Sequence, residues 1–426
     1  MQNAQQNFHT YNILIIGGSY AGLSAAVNLL DLHRGLQPRQ SKEPYIHQRQ
    51  LPKYSIKITI IDERDGFYHL VGSPLALFDK AFANKTWVKY QDIPEMQGPL
   101  IKHIQGAVTE VDCVKKKAVI VDEATKTRMI LSYDILVAAS GLRRAWPIAP
   151  RAKTKQEFLS HIVQHTESFE DASCGVVIVG GGAVGVEIAA KLKMLIPRLI
   201  VSLVHSRDML LSSEPIPDSA KERTLELLRG TGVRVLMNHR LCQMSEEQAS
   251  DGYNLLRLTF NTGTQMVASK VIHAISQSVP STEYLPASAL DLNGYVEVLP
   301  SLNLRPGTPN HQDHFSAGDI VQWPGIKRCS GAMHMGQLVA QNVHQRIIQK
   351  LTGREPTMKD LEEFPPMIAV AVAKSAVSYA PQTGVTWGAE VLKTYFGDDM
   401  AFSFCKSAMQ LGCETDSAQS TCSTDM

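Results

Sequence analysis

From Asn12 the chain reads NILIIGGSYAGLSAAVNLLDL, a short β-branched run, a glycine turn and then alanine and leucine at helical spacing. That order predicts a strand, a tight turn and a helix. A polar stretch rich in Gln, Pro and charge follows from 33 to 54, too poor in apolar residues for a core element, and is expected to be an exposed insertion. The run SIKITIIDERD then predicts the next strand, ending on Asp62 and Glu63. Between 101 and 137, apolar and polar positions alternate around turns, as in an antiparallel ribbon returning to a buried strand. At Cys174 the first pattern starts again: GVVIVGGGAVGVEIAAKLKML, then the strand LIVSLVHS. A strand, glycine turn and helix repeated about 160 residues apart signals two nucleotide-binding halves. Strands between 256 and 276, the apolar run HFSAGDI and a long helix beginning near Gly331 complete the second half of the chain.

These elements predict an α/β fold with two Rossmann-like domains, the second inserted in the first, and a small C-terminal α+β module. The expected boundaries are 8–148 and 291–355 for the first domain, 149–290 for the second, 356–412 for the module, and a disordered polar tail from 413 to 426. A length of 426 residues fits that division. Lys plus Arg total 42 against 41 Asp plus Glu, so no basic excess points to nucleic acid. The 7 cysteines contain no C-x-x-C and no metal spacing, which fits a reducing, cytoplasmic setting. No run of about 18 apolar residues predicts a membrane span. Gln2 and the position of Cys422 argue against lipid anchors, so any membrane contact is expected to be peripheral.

The strongest chemical signal is Gly180-Gly181-Gly182-Ala183-Val184-Gly185 between a Val/Ile strand and a helix, where backbone amides meet a pyrophosphate unobstructed by side chains. About 20 residues past the last glycine, where an acid would hold an NAD ribose, stands His205, followed by Ser206 and Arg207. NADPH is therefore expected to be accepted, with Arg207 as the phosphate partner; the alternative is a solvated loop arginine. The first fingerprint, Gly17-Gly18-Ser19-Tyr20-Ala21-Gly22, has Ser19 where glycine is usual. Asp62 or Glu63 is its expected ribose ligand, displaced to 40 residues beyond Gly22 by the polar insertion.

With Ala139-Ser140-Gly141 closing one strand and Gly318-Asp319 ending another, the pattern resembles the two-dinucleotide flavoproteins, in which one half binds FAD and the other NADH or NADPH. The runs IIDERDGFYHL, FANKTWVKY, LVHSRDMLL and LKTYFGDDMAFSFCKSAM narrow this to the apoptosis-inducing-factor-like group, closest to the ferroptosis suppressor proteins, within the pyridine nucleotide-disulfide oxidoreductase superfamily. The resemblance implies an NAD(P)H:quinone-type oxidoreductase. It places Asp319 on the ribityl chain, Glu187 where flavin and nicotinamide meet, Lys327 near the flavin, and His69 and Tyr68 as candidates by position. A β-turn acid, a first-turn acid and a loop cation are the respective alternatives for Asp319, Glu187 and Lys327. The sequence shows no cysteine pair beside the flavin site, which argues against a disulfide substrate and for a small acceptor such as a quinone. Phe364, Tyr379, Trp387, Tyr395 and Phe396 are candidates to line its pocket or to be core. Two other readings stay open: a flavoenzyme acting on a dedicated biosynthetic metabolite, and a non-enzymatic redox-sensing effector. A homodimer is also allowed. Ile275-Ser276-Gln277 departs from the group's Ala-Thr-Gly and is expected to narrow that crossover.

Overall fold

The computed structural model describes residues 8–412 except 42, 49, 168, 170–171, 249–253 and 276–278. The tail from 413 and the Ser276-Gln277 substitution lie outside them. Strands His314–Ser316, Ile135–Ala138, His9–Ile16, Tyr54–Asp62 and Ile101–Asp112 run parallel in that spatial order. Ile101–Asp112 then bends through a register shift between Val108 and Glu110 into an antiparallel ribbon with Lys117–Asp122 and Arg128–Ser132. Parallel strands are apolar on both faces because helices cover both, and Ile135–Ala138 is buried throughout. Helix Tyr20–His33 is buried at every residue but the last. It lies so close to helix Cys329–Thr352 that a Cβ on Gly336 would fall 2.3 Å from the Ala21 carbonyl oxygen.

The second domain repeats the plan. Arg234–Leu236, Val201–Val204, Val176–Val179 and Lys270–His273 form a parallel sheet, and the antiparallel ribbon Leu241–Gln248, Asn254–Phe260, Gln265–Ala268 packs Leu258 and Phe260 against Val177 and Val204. The α/β architecture with two Rossmann-like halves is as expected. The chain crosses between halves at Leu142–Arg143 and Val279–Pro280, which pair antiparallel, and the Ser281 amide donates to the Gly141 carbonyl at 3.0 Å. Tyr284, Leu285 and Ala289 therefore pack with Leu14 and Ile16 of the first half, so the return precedes the expected position of 290. No composition change marks it, because both sides of the crossover are equally polar.

The C-terminal module is an antiparallel sheet, Ile368–Val372, Ser375–Ala380 and Gly384–Gly388, with helices Ala389–Phe396 and Phe402–Ala408. It joins two cores. Val370, Val372 and Val377 pack with the second domain, while Phe402, Cys405 and Met409 pack with the first.

The expectation for residues 33 to 54 is only half right. Much of the segment is exposed, but Arg39 and Tyr45 are buried. Arg39 pairs with Asp31 at 2.6 Å and Glu95 at 3.1 Å and donates to the Met409 carbonyl at 2.8 Å. The Tyr45 hydroxyl meets His344 Nδ1 at 2.6 Å and accepts from Gln345 Nε2 at 2.6 Å. Mean composition misses this because two fully satisfied side chains anchor a segment whose remaining residues stay in water. Among the described residues no helix is long and apolar enough to cross a membrane.

Candidate functional site

Each half begins with the same loop. Gly17 has φ +98°, and a Cβ there would lie 2.3 Å from the Ala139 carbonyl oxygen; Gly22 sits so tightly that its Cβ would fall 1.8 Å from the Gly17 carbonyl oxygen. In the second half Gly180 has φ +127° and would clash with the Ala274 carbonyl oxygen at 2.6 Å, and Gly185 with that of Gly180 at 1.9 Å. Both loops demand glycine because backbone already fills the Cβ positions. Gly182 is different: nothing lies within 4 Å of its missing side chain, which leaves open the space before helix Ala183–Leu195.

The strand following each loop sends back one side chain. The Gly18 amide donates to Asp62 Oδ2 at 2.8 Å, and the Gly181 amide donates to His205 Nδ1 at 3.1 Å. Since Nδ1 accepts, the His205 proton is on Nε2, which donates to Ser212 Oγ at 3.0 Å. Burial lowers the His205 pKa, keeping the ring neutral. Two loops of the same design thus carry a carboxylate in the first half and an uncharged imidazole in the second. Arg207 is exposed beside it, its Nη1 3.4 Å from Ser212 Oγ. Glu63 is held by Lys153 at the surface, so of the two expected ribose acids it is Asp62 that closes on the loop.

Of the remaining first-half candidates, Gly318 lies against the start of helix Tyr20–His33. Gly318, at φ +82°, would bring a Cβ to 3.0 Å from that of Ala21, and its amide meets Met335 Sδ at 3.2 Å. Asp319 Oδ2 accepts from Arg144 Nη2 at 3.3 Å. Lys327 Nζ donates to the Val321 carbonyl at 2.8 Å and lies 4.8 Å from the centre of the Tyr295 ring; burial lowers its pKa and the Asp319 charge opposes that. Ser140 is committed to the crossovers: its hydroxyl donates to the Ser281 carbonyl at 2.5 Å and meets the Tyr284 hydroxyl at 2.9 Å. Gly141, at φ +72°, faces open space.

The helices that start at Tyr20 and Cys329 in the first half and at Ala183 in the second have no side-chain cap. Uncapped first-turn amides are free to take an anion. Two further arginines adjoin these candidates, one at the N-cap of the long helix and one whose amide donates to Asp62. Arg328, the residue before the long helix, and Arg64, next to Asp62, each bury an Nε that has no partner among the described residues. A buried guanidinium NH without an acceptor fits a phosphate-bearing ligand. Their adjacency to Lys327 and Asp62 was the available signal.

Glu187 is buried on the second-domain helix, and its Oε1 accepts from the Ala371 amide of the C-terminal module at 3.1 Å. Burial pushes its pKa up to about 8. His69 is also buried. Its Nε2 donates to the Met400 carbonyl at 2.8 Å, so its Nδ1 accepts from the Tyr20 hydroxyl at 2.9 Å, and burial lowers its pKa to about 4. Tyr68 packs against both Trp87 and Phe158, which stack on each other, in the core shared with the second domain. The five aromatics do not form one lining: Phe396 is core, Trp387 lies under Arg223 at 4.0 Å, and Phe364 meets His334 at 5.8 Å near the long helix. Cys329 and Cys405, far apart in sequence, are both free thiols, as expected, but the fold brings their sulfurs to 3.8 Å, close to Lys327 and thus to the candidate flavin site, where the sequence gives no sign of a pair.

Oxidoreductase OXR1 of Ajellomyces capsulatus is 42% identical over 412 residues, covering 94% of this chain and 88% of its own. Ferroptosis suppressor protein 1 of Homo sapiens is 24% identical over 345 residues, covering 79% of this chain and 82% of its own. Among solved structures, the water-forming NADH oxidase from Lactobacillus brevis bound to NADH superposes with a TM-score of 0.63 at 15% identity, over 86% of this chain and 74% of that one, a likeness of fold. The family model described as pyridine nucleotide-disulphide oxidoreductase matches residues 11–336, and with two glycine loops of one design already in view, the chain belongs to that family.

Proposed function

We propose that the chain is a FAD-dependent NAD(P)H oxidoreductase that passes electrons to a quinone or similar small acceptor. The observation that carries this reading is the pair of equivalent loops, one closed by Asp62 and the other by neutral His205. The carboxylate suits an unmodified adenosine ribose, which assigns FAD to the first half. A second half with no acid at that point and Arg207 alongside suits a nicotinamide cofactor bearing a 2'-phosphate. Bound flavin would supply the chemistry, taking hydride from nicotinamide and releasing electrons to the acceptor. The protein's own part is to position and to set charge. Gly17, Ser19, Ala21, Gly22, Ala139, Ser140, Gly141, Gly318 and Asp319 would hold the flavin nucleotide, and Arg64 and Arg328 would meet its anionic groups. Lys327 and the start of the long helix would favour negative charge near the flavin ring. Gly180, Gly182 and Gly185 would carry the nicotinamide nucleotide's pyrophosphate. Quinone as the acceptor class rests on the resemblance to the ferroptosis suppressor group.

Anaerobic stopped-flow mixing with NADPH or NADH, then with ubiquinone analogues, menadione or oxygen, tests the reading. Fast flavin bleaching followed by reoxidation at low quinone concentration is expected. A long-lived charge-transfer complex with slow reoxidation by every acceptor would overturn it in favour of a redox-sensing effector. For Arg207→Ala, kcat/KM with NADPH is expected to fall about 10- to 100-fold relative to NADH, the scale of one charge-assisted phosphate contact. An unchanged ratio in steady-state assays would remove Arg207 from the site.

A further inference from the structure

Cys329 is the first residue of the 24-residue helix Cys329–Thr352, and Cys405 belongs to helix Phe402–Ala408 of the C-terminal module. The fold brings these thiols together across 76 residues of sequence, sulfur to sulfur at 3.8 Å. Their settings differ. Cys405 is 2% exposed, whereas Cys329 is half-buried. The Cys405 thiol donates to Cys329 Sγ, and the Ser330 amide adds a second hydrogen bond, so Cys329 is favoured as the thiolate even though burial and Asp319 oppose it. The same hydrogen bond and burial keep the proton on Cys405. Among the other described cysteines, Cys113 is buried, and Cys174 and Cys242 are exposed.

We propose that Cys329 and Cys405 form a hydroperoxide-reactive dithiol site, with Cys329 attacking and Cys405 resolving, whose disulfide staples the C-terminal module to the start of the long helix. The Cys329 thiolate attacks one peroxide oxygen, the O–O bond breaks, and the leaving alkoxide or hydroxide takes up a proton; Cys329 becomes a sulfenic acid. The Cys405 sulfur then attacks the Cys329 sulfur, the S–O bond breaks, and the departing hydroxide leaves as water with the Cys405 proton. In sum, two thiols and one hydroperoxide give a disulfide, an alcohol (or water, from hydrogen peroxide) and a water. Two electrons pass from the sulfurs to the peroxide. A hydroperoxide is favoured over a small disulfide because the reachable sulfur is half-buried and its partner is behind it, so only a compact oxidant can approach. Oxidation would restrain the module against the candidate flavin site, since Asp319 lies within electrostatic range of Cys329.

The test uses the full chain, reduced, desalted and treated anaerobically with one equivalent of hydrogen peroxide, followed by alkylation and peptide mass spectrometry. In the wild type, the expected product is a Cys329–Cys405 disulfide peptide, formed about 10-fold or more faster than oxidation of exposed Cys174 or Cys242. Cys405→Ser should stop at a Cys329 sulfenic acid that dimedone traps, and Cys329→Ser should leave Cys405 free. If Cys174 or Cys242 oxidises first while Cys329 and Cys405 remain alkylatable, the proposal is wrong, and the wild-type result alone decides that without a variant. Faster formation of a mixed disulfide at Cys329 by oxidised glutathione than oxidation by peroxide would overturn the choice of oxidant. None of these readouts depends on cofactor turnover, so their failure is separate from failure of the proposed function.

Discussion

Gly180→Val is expected to lower kcat/KM for both NADPH and NADH by about 100-fold or more, roughly 2.7 kcal/mol or more of lost transition-state stabilisation. Flavin content should stay near that of the wild type. Gly180 has φ +127°, and its Cβ would lie 2.6 Å from the Ala274 carbonyl oxygen. A β-branched residue at that φ is strained whatever room it has, and here the obstacle, the Ala274–Ile275 peptide, is backbone. The loop must shift, carrying the Gly181 and Gly182 amides away from the pyrophosphate position and breaking the bond from Gly181 to His205. The companion change, Gly17→Val, is expected to do the reverse. At φ +98°, with the Ala139 carbonyl oxygen 2.3 Å from the added Cβ, it deforms the first loop, so the purified protein should carry little flavin. Flavin absorbance per mole of protein and NAD(P)H titration distinguish the two variants. A Gly180→Val protein reduced at the wild-type rate would show that the second loop does not hold the nicotinamide nucleotide.

Glu187→Gln is expected to flatten the pH dependence of stability and to make the protein more stable than the wild type at pH 8. The folded Glu187 carboxyl holds its proton up to about pH 8, against an ordinary value of 4.5, because burial disfavours the charged form. A raised folded pKa means that the unfolded chain releases this proton first. The group's contribution to stability is therefore complete below pH 4.5 and is lost progressively as pH rises through about 8. Gln has no proton to lose, and its carbonyl oxygen can still accept from the Ala371 amide. The variant's advantage should grow from near zero at pH 4.5 to roughly 2–4 kcal/mol at pH 8. Urea unfolding midpoints at pH 5, 6, 7 and 8 provide the comparison. Parallel wild-type and variant curves would mean that Glu187 ionises normally in the folded protein.

These two variants also separate what could be read from sequence from what could not. Gly17, Gly22, Gly180 and Gly185 were legible because each is required by atoms of its own strand, turn and helix or of the strand beside it. The register of apolar runs carried the same local information, and with it the parallel sheets and the repeated halves. The closure of Asp62 on the first loop is legible despite the displacement caused by the insertion, since Asp62 ends a strand that pairs with the first. Glu187 was legible as a candidate, but its elevated pKa was not. That depends on a module whose strand arrives more than 180 residues later to bury the carboxyl and supply the Ala371 amide.

The same limit governs the other differences. His205 was read as the absence of an acid, yet its positive role, an uncharged acceptor for the Gly181 amide, follows from a three-dimensional chain through Ser212. Arg39 and Tyr45 looked solvated because their neighbours are polar, and only the arrival of Asp31, Glu95 and His344 satisfies them. Cys329 and Cys405 carried no spacing signal, since the contact joins a helix of the first domain to the last helix of the module. The sequence by itself determined the α/β class, the two glycine loops and the family, because these are written in short-range patterns of Cβ space and burial. The tertiary structure decided protonation, pairing and the contacts of the C-terminal module, because desolvation and hydrogen-bond satisfaction depend on partners that only the closed fold brings within reach.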